Sequence, residues 1–404
     1  MAHPAGALSG LTVLDLSRVL AGPYCTQLFA DLGAEVWKLE SLTGDDTRRW
    51  GPPFAAGESA YYLSVNRGKK SLAVDLKDER GQDLARRLAL RSDVLVENFK
   101  VGDLARYGLD YSNLSKANPR LIYASITGFG QTGPRAHEPG YDAALQGLGG
   151  LMSITGEADG PPVKVGVAVV DVLTGLHAAV GILAALHERE RSGLGQHLDI
   201  ALFDVALASL INQAQSYLLT GVTPKRLGSA HPQIVPYGAF RAQDDWLMLA
   251  VGNDAQYRRA CHVLGLPELS QPRFATNAGR VEHRDDLLDL LGALFKTRTR
   301  KVWLEQLGAA GVPATPVNTL EEAFDDPQTE ARGMTPTLSH PLLGDLPSVG
   351  SPLGHLSRTP AVTDAPPPLL GEHGDALLQL LDLSDDEIRA LRQAGVIGPA
   401  TSSV

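Results

Sequence analysis

Apolar residues in the first third of the chain fall in short runs at 11–16, 35–40, 71–76, 93–97 and 121–126. Between the first two lies GPYCTQLFADLG, which closes on Gly33, a suitable helix C-cap. Between the third and fourth lies KDERGQDLARRLALRS, where Leu84, Leu88 and Leu90 fall near helical spacing. Short apolar runs alternating with helix-like stretches predict βαβ units, and so an α/β fold with a parallel sheet covered on both faces.

The pattern changes between 140 and 221, where two helical stretches, 172–191 and 202–219, are joined by the strand-like QHLDIAL. The most apolar window, 173–186, contains Thr174, Gly175 and His177 and is too short to span a bilayer, so it reads as a buried helix. Beyond Pro224, YGAFRAQDDWLMLAVG predicts a hairpin turning at 243–245, followed by helices at 254–264, 280–297 and 300–310. The expected organisation is a large Rossmann-like domain over 1–224 and a smaller α+β domain over 225–318. A C-terminal segment, 319–404, with a helix in TLEEAFDDPQTEAR, is expected to return to the large domain.

Composition narrows the function classes. The 404 residues carry 36 Lys+Arg against 46 Asp+Glu, a net charge of −10, which argues against nonspecific nucleic-acid binding. Small anionic ligands remain open, because they need only local positive charge. Glycine (42) and proline (26) are in excess without a collagen-like period, so turns and loops are many. Two distant cysteines, Cys25 and Cys261, exclude a disulfide framework and fit a reducing compartment. The opening MAHPAGALSGL has neither a basic stretch nor a long apolar one, so no secretory signal is expected and the cytoplasm is the expected location.

Several motifs are present only in part. GFGQTG at 128–133 matches G-x-G-x-x-G after a strand-like run, but PRAHEPG follows and cannot open the long helix a dinucleotide site needs. RGKKS at 67–71 resembles the end of a phosphate-binding loop, yet Leu63 stands where that loop needs glycine. The basic cluster either meets a phosphate or is a solvated turn. Eleven scattered histidines form no metal-binding pattern, and no G-x-S-x-G elbow occurs. Asp171 stands where an apolar, strand-like run meets a long apolar helix. It reads either as an N-cap or as a carboxylate held in a cleft, where it could act as a covalent nucleophile.

Together, LTVLDLSRVLAGPYCTQLFADLGAEVWKLE, NRGKKSLAVDLK, VENF, GYDAALQ, PVKVGVAVVDVLTG and GQHLDIALFD resemble the class III (CaiB/BaiF-type) CoA-transferases, over nearly the whole chain. GDDTRRWGPPF, ESAYYLSVNRGKKS, SITGFGQTGP, GSAHPQIVPYGAF and PPPLLGEH look closer to the branch that moves CoA between succinate and hydroxymethylglutarate or glutarate. The resemblance implies interlocked homodimers with a Rossmann-like large domain. It implies CoA thioesters as substrates with no bound cofactor or metal, and no nucleic-acid or membrane partner. It places the nucleophile on Asp171, which would pass through an anhydride and an aspartyl-CoA thioester, with glycine-loop N–H groups stabilising the oxyanions.

CoA contacts carry over to Arg18, Val74, Lys77, Asn98, Phe99, Arg106 and Tyr107, with Lys77 and Arg106 supplying charge for phosphates. Ser41 replaces an arginine that stacks on adenine in many relatives, and Pro139 replaces a lysine of formyl-CoA transferases. A dicarboxylate acceptor calls for a distal cation, for which Arg48 and His231 are candidates, and Tyr141 is a further substrate-site candidate. The α-methylacyl-CoA racemases share the fold but need a base, and carry histidine where Tyr141 stands. A silent acyl-CoA-binding scaffold is the other alternative, and the intact Asp171 speaks against it.

Overall fold

The computed structural model describes residues 6–362 and 364–399, so the outermost ends of the expected 1–224 and 319–404 segments lie outside it. The first compact unit comprises residues up to Gly150, Val165–Ala214 and the chain from Pro327. The second comprises Leu151–Lys164 and Gln215–Asp326.

The first unit is built on six parallel strands: β1 (Thr12–Asp15), β2 (Glu35–Glu40), β3 (Lys69–Ala73), β4 (Val94–Glu97), β5 (Ile122–Thr127) and β6 (His197–Ala201). Their spatial order is 3-2-1-4-5-6, the arrangement of doubly wound dinucleotide-binding folds. Alternate side chains divide between two cores. Leu14, Trp37, Leu72, Leu95 and Tyr123 face one of them. Val13, Val36, Val94, Val96 and Ile122 face the other.

The second core is covered by α1 (Ala21–Asp31) and the first by α2 (Glu79–Leu90). Beyond β5 come α3 (Asp142–Leu148), α4 (Val169–Ser192) and, after β6, α5 (Leu202–Ala208). Gly175 lets α4 lie close against α1, since a Cβ there would come within 2.6 Å of the Ala21 carbonyl oxygen. α4 has 24 residues, ten more than the apolar window that revealed it. By length and composition it is long and apolar enough to cross a membrane. Only one of its faces is buried; Leu176, Val180 and Leu183 on the other are exposed.

In the second unit, β7 (Tyr237–Arg241), β8 (Trp246–Ala250) and β9 (Ala314–Pro316) form an antiparallel sheet in the order 9-8-7. It packs with α6 (Asp254–Leu264), α7 (Arg284–Phe295) and α8 (Arg300–Ala309) around Phe240, Phe295 and Trp303. Back in the first unit, β10 (Thr337–His340) and β11 (Gly344–Pro347) form a small ladder. The chain then reaches α9 (Gly374–Gln379), which packs on β3, and α10 (Asp385–Gln393), and their Leu377 and Ile388 join the core that holds Leu72. The last described residues run along β3, with Val74 bridging Ile397.

Four expectations from the apolar pattern are corrected. The run before Asp171 forms no strand; residues 161–168 are irregular, interrupted by Gly166 and with Val163 and Val167 exposed. The helix expected over 202–219 breaks after Ala208, where the Ser209 hydroxyl bonds back to the Ala206 carbonyl. The helix expected over 280–297 breaks at His283. TLEEAFDDPQTEAR yields Leu320–Phe324 and Pro327–Ala331, separated ahead of a proline.

RGKKS is neither a phosphate site nor a solvated turn. Arg67 is buried against Asp31 (2.6 Å) and Lys69 against Asp15 (3.0 Å), while Lys70 pairs with Glu35. Lys69 and Lys70 belong to β3, which therefore starts two residues before the apolar run at 71.

Candidate active site

In this strand order β1 and β4 are neighbours whose chains leave in opposite directions, and a crevice opens at their C-terminal ends. Two loops meet there. The Arg18 N–H donates to Asn98 Oδ1 (2.9 Å), and Asn98 Nδ2 donates to the Arg18 carbonyl (2.7 Å). The Arg18 guanidinium lies 5.8 Å from the centre of the Phe99 ring. The turn at Arg18 is held from below. Lys38 Nζ donates to the Ser17 carbonyl, and Asp45 accepts the N–H of Val19, whose φ is +71°. A positive φ at a β-branched residue is strained and needs such support.

Two depressions meet at this pair. A cleft of about 190 Å³ is lined by Val19, Gly128, His137, Tyr141, Lys100 and Asp171, among others. A trough of about 320 Å³ is lined by Ser41, Val74, Lys77, Asp103, Arg106 and Tyr107, among others. Arg18 and Phe99 line both. The trough has cations for phosphates and aromatic faces for a flat ring. The cleft has a carboxylate.

That carboxylate, Asp171, sits in the first turn of α4. A helix N-terminus ordinarily favours a negative charge. Here another acid takes the donors: Asp142 Oδ1 accepts the N–H groups of Val170 (2.8 Å) and Asp171 (3.2 Å), and Gln146 Nε2 donates to Asp142 Oδ2 (2.6 Å). Burial, then the charge of Asp142, push the Asp171 carboxyl up to about 7. The Asp171 carboxylate thus has an acidic neighbour and, among the described residues, no paired cation. Tyr61 feels the same field, and burial together with Asp171 and Asp142 pushes its hydroxyl up to about 12.

A sequence profile of CoA-transferase family III matches residues 8–374. The chain belongs to CoA-transferase family III. A succinate–glutarate CoA-transferase of Agrobacterium fabrum is 48% identical over 383 residues, 93% of this chain and 96% of that protein. The Homo sapiens succinyl-CoA:glutarate CoA-transferase is 42% identical over 393 residues, 96% of this chain and 90% of that one. Among solved structures, a CaiB/BaiF family protein from Brucella suis is similar with a TM-score of 0.85 at 46% identity, covering 94% of this chain and 100% of that chain. The protein is therefore an enzyme of the CoA-transferase type, with CoA thioesters as substrates.

In this family III CoA-transferase the structure brings Arg18, Asn98, Phe99 and Asp171 to one cleft, and Val74, Lys77, Arg106 and Tyr107 to the adjoining trough. Arg106 is paired with Asp103 at 2.8 Å, an exposed bridge that a phosphate could displace. Tyr141 lines the cleft and is 68% exposed. Arg48 is not among the cleft-lining residues. Its guanidinium grips Glu40 at 2.8 Å through two nitrogens, touches the Tyr62 hydroxyl and donates to the Pro368 carbonyl. His231 belongs to the second unit, where its ring packs on Tyr237. Ser41 lines the trough and bonds to the Gly44 carbonyl.

The glycine loop opens no helix. Gly128 packs directly on Gly140, where a Cβ would come within 2.6 Å of its Cα. Two of the loop's N–H groups are engaged, Gly130 by Thr127 Oγ1 and Gln131 by Asp199. Sequence reasoning missed Asp142, Tyr61, Lys100 and His137. Asp142 and Tyr61 stand in the quoted blocks GYDAALQ and ESAYYLSVNRGKKS, but their nearness to Asp171, like the places of Lys100 and His137 in the cleft, comes only through folding. Among the described residues no group of three or more His, Cys, Asp or Glu side chains is placed to hold a metal ion.

Proposed function

We propose that this enzyme moves CoA from succinyl-CoA to a C4–C6 dicarboxylate, glutarate first among the acceptors, through a covalent intermediate on Asp171. The observation that carries the reading is the Asp171 carboxylate, raised to about 7 in a cleft that opens onto a cation-lined trough. The named activities of the Agrobacterium and human relatives support the choice of substrates.

In this reading the Asp171 carboxylate attacks the thioester carbonyl and expels CoA thiolate, leaving a mixed anhydride. The thiolate then attacks the Asp171 acyl carbon, releasing the donor as its free carboxylate and leaving an aspartyl-CoA thioester. The acceptor carboxylate repeats the two steps in reverse order, ending as acyl-CoA with Asp171 restored. The net exchange of one thioester for another is nearly balanced in free energy, and no atom changes oxidation state, so the reaction needs no redox partner. Lys77 and Arg106 hold CoA phosphates, while Phe99 and Tyr107 present ring faces along the trough, where Ser41 offers none. Lys100, Arg18 and His137 line the cleft and could meet an acceptor's distal carboxylate.

A racemase would need a base at the position of Tyr141. An exposed phenol with no hydrogen-bond acceptor role at the start of α3 supports the transferase instead. The exposed apolar face of α4 supports a homodimer, because a second copy would cover Val180 and its neighbours. Both cysteines are free thiols, which fits a reducing compartment such as the cytoplasm.

Incubation with succinyl-CoA and a panel of free acids, read by mass spectrometry, tests the reaction. Glutaryl-CoA or another dicarboxyl-CoA product is expected. Hydroxylamine added with succinyl-CoA should leave a hydroxamate on the peptide carrying Asp171. Exchange of the α-proton of a 2-methylacyl-CoA without transfer to any acid would move the protein to the racemase reading. Sedimentation should give a dimer.

A further inference from the structure

Glu97 ends β4 immediately before Asn98 and Phe99, and the CoA-site reading above leaves it without a role. It is 5% exposed, and its Oε2 accepts the Phe99 N–H at 2.7 Å. That bond bends the chain as it leaves the sheet. The bend aims the Asn98 amide at the Arg18 backbone and sets the Phe99 ring beside the Arg18 guanidinium. Arg18 and Phe99 are the two residues shared by cleft and trough.

On its other side Glu97 lies in register with Ser125 of β5. Ser125 Oγ is 2.9 Å from His197 Nε2 on β6, and the His197 ring stacks on Tyr111 at 5.3 Å. Two residues further along β6, Asp199 accepts the Gln131 N–H of the glycine loop at 2.9 Å. Contacts across β4, β5 and β6 thus run from the Phe99 turn to His197, and Asp199 on the same strand as His197 holds the glycine loop. A cavity of about 340 Å³, lined by Glu97, Ser125, His197, Tyr111, Gln131 and Lys100, opens beside it.

We propose that Glu97 is a positioning residue for acyl-CoA, fixing the turn that presents Asn98 and Phe99 and tying it through Ser125 and His197 to the strands beneath the glycine loop. The proposal rests on the trough being the CoA site. Among the described residues no cation pairs with Glu97. Burial raises the Glu97 carboxyl to about 7, against the opposing effects of Ser125 and the Phe99 N–H. The titratable groups around it are Tyr123 on β5, His197 on β6, and Asp110, Tyr111 and Lys100 at the cavity. Burial lowers the His197 pKa, so His197 stays neutral around pH 7. Above about pH 7 the Glu97–Phe99 bond is charge-assisted, and below it the acid is neutral and the bond weaker. Acyl-CoA affinity should therefore fall as the pH drops through that value.

The test is steady-state kinetics and calorimetric CoA binding on the full-length enzyme, with circular dichroism to confirm folding. Glu97→Leu should raise the acyl-CoA KM about tenfold, the scale of one lost buried hydrogen bond, with kcat nearly unchanged. Glu97→Gln keeps an acceptor oxygen but cannot ionise. It should restore most of the affinity and flatten its dependence between about pH 6 and about pH 8. A folded Glu97→Leu enzyme with wild-type KM, or one that loses kcat alone, would overturn the proposal. So would a Glu97→Gln enzyme with the wild-type pH dependence, which decides the matter if the leucine variant does not fold. Asp171→Ala run alongside separates the two readings. If it keeps activity, the active-site reading fails. If it is inactive but binds CoA while Glu97→Leu is indifferent, only the positioning role fails.

Discussion

Two sets of buried acids lie in the first unit, and they have opposite surroundings. Asp15, Glu40 and Asp45 sit under the loops that follow β1 and β2, each within 3.1 Å of a cation: Lys69, Arg48 and Lys38 respectively. Burial pushes all three upward, but the cations outweigh it and hold each below the ordinary carboxylate range. Asp171 in the cleft and Glu97 at the end of β4 have no paired cation among the described residues, and burial raises each to about 7. The residue types are alike, although Asp171 is only partly buried where the paired acids are buried. The missing counterion is what separates the two sets: it leaves Asp171 and Glu97 able to change charge near neutral pH, where the paired acids stay ionised.

The sharpest break in that comparison is Asp171→Ala. Transfer activity should fall by at least about a hundredfold while CoA still binds, as coupled assays and calorimetry would read. More than a few per cent of residual activity would place the nucleophile elsewhere. On the paired side, Lys69→Ala leaves Asp15 buried without its nearest cation. It should cost about 3–5 kcal/mol in denaturant unfolding.

Next in size is a gain in stability. With a folded pKa of about 7 and an unfolded value near about 4, Asp171 binds more protons in the folded state between those values, so stability falls as pH rises through that window. Asp171→Asn removes the penalty. The melting temperature at about pH 8 should rise by about 2–4 °C, and at about pH 4 it should not move. The paired acids behave in the opposite sense. Their folded values are depressed, so their contribution is present above about pH 4 and is lost as the pH falls below it.

A smaller effect sharpens the unpaired side. Asp142→Asn keeps an oxygen for the α4 N–H groups but removes the charge that helps raise Asp171. The acid limb of kcat/KM, expected near pH 7, should move toward the ordinary carboxylate range. The smallest effect concerns the trough. Arg106→Ala should weaken CoA binding about threefold, and less at high salt, because the arginine is exposed and already shared with Asp103. An altered acceptor KM with unchanged CoA affinity would put Arg106 at the wrong end of the ligand.

The parallel sheet was legible because its strands are apolar on both faces, a signal that survives without tertiary context. β3 was misjudged by two residues because Lys69 and Lys70 read as polar surface until Asp15 and Glu35 are brought to them. Asp171 was legible through the start of its helix, although the strand expected before it is absent. Asp142, though inside GYDAALQ, was not, because it meets the α4 N–H groups only on folding, and Glu97 was not, because what marks it is the paired cation it lacks. Such a lack belongs to the three-dimensional surroundings and leaves no spacing in the chain. Arg48 shows the converse: a dicarboxylate's need for a distal cation made it a candidate, and folding closes its guanidinium on Glu40.

The charged floor beneath β1–β3 also bears on calorimetry. Unfolding exposes Lys38, Lys69, Asp15, Asp45 and Glu40 to water along with the aliphatic core. Hydrating polar groups lowers the heat-capacity increment that apolar groups raise, and the cost of desolvating ions shrinks with warming. The large unit should therefore have a flatter stability curve than an all-aliphatic sheet of equal size. Its folding free energy would be spread over a wider range of temperature, keeping the loops at Arg18 and Asn98 in register as the surroundings heat and cool.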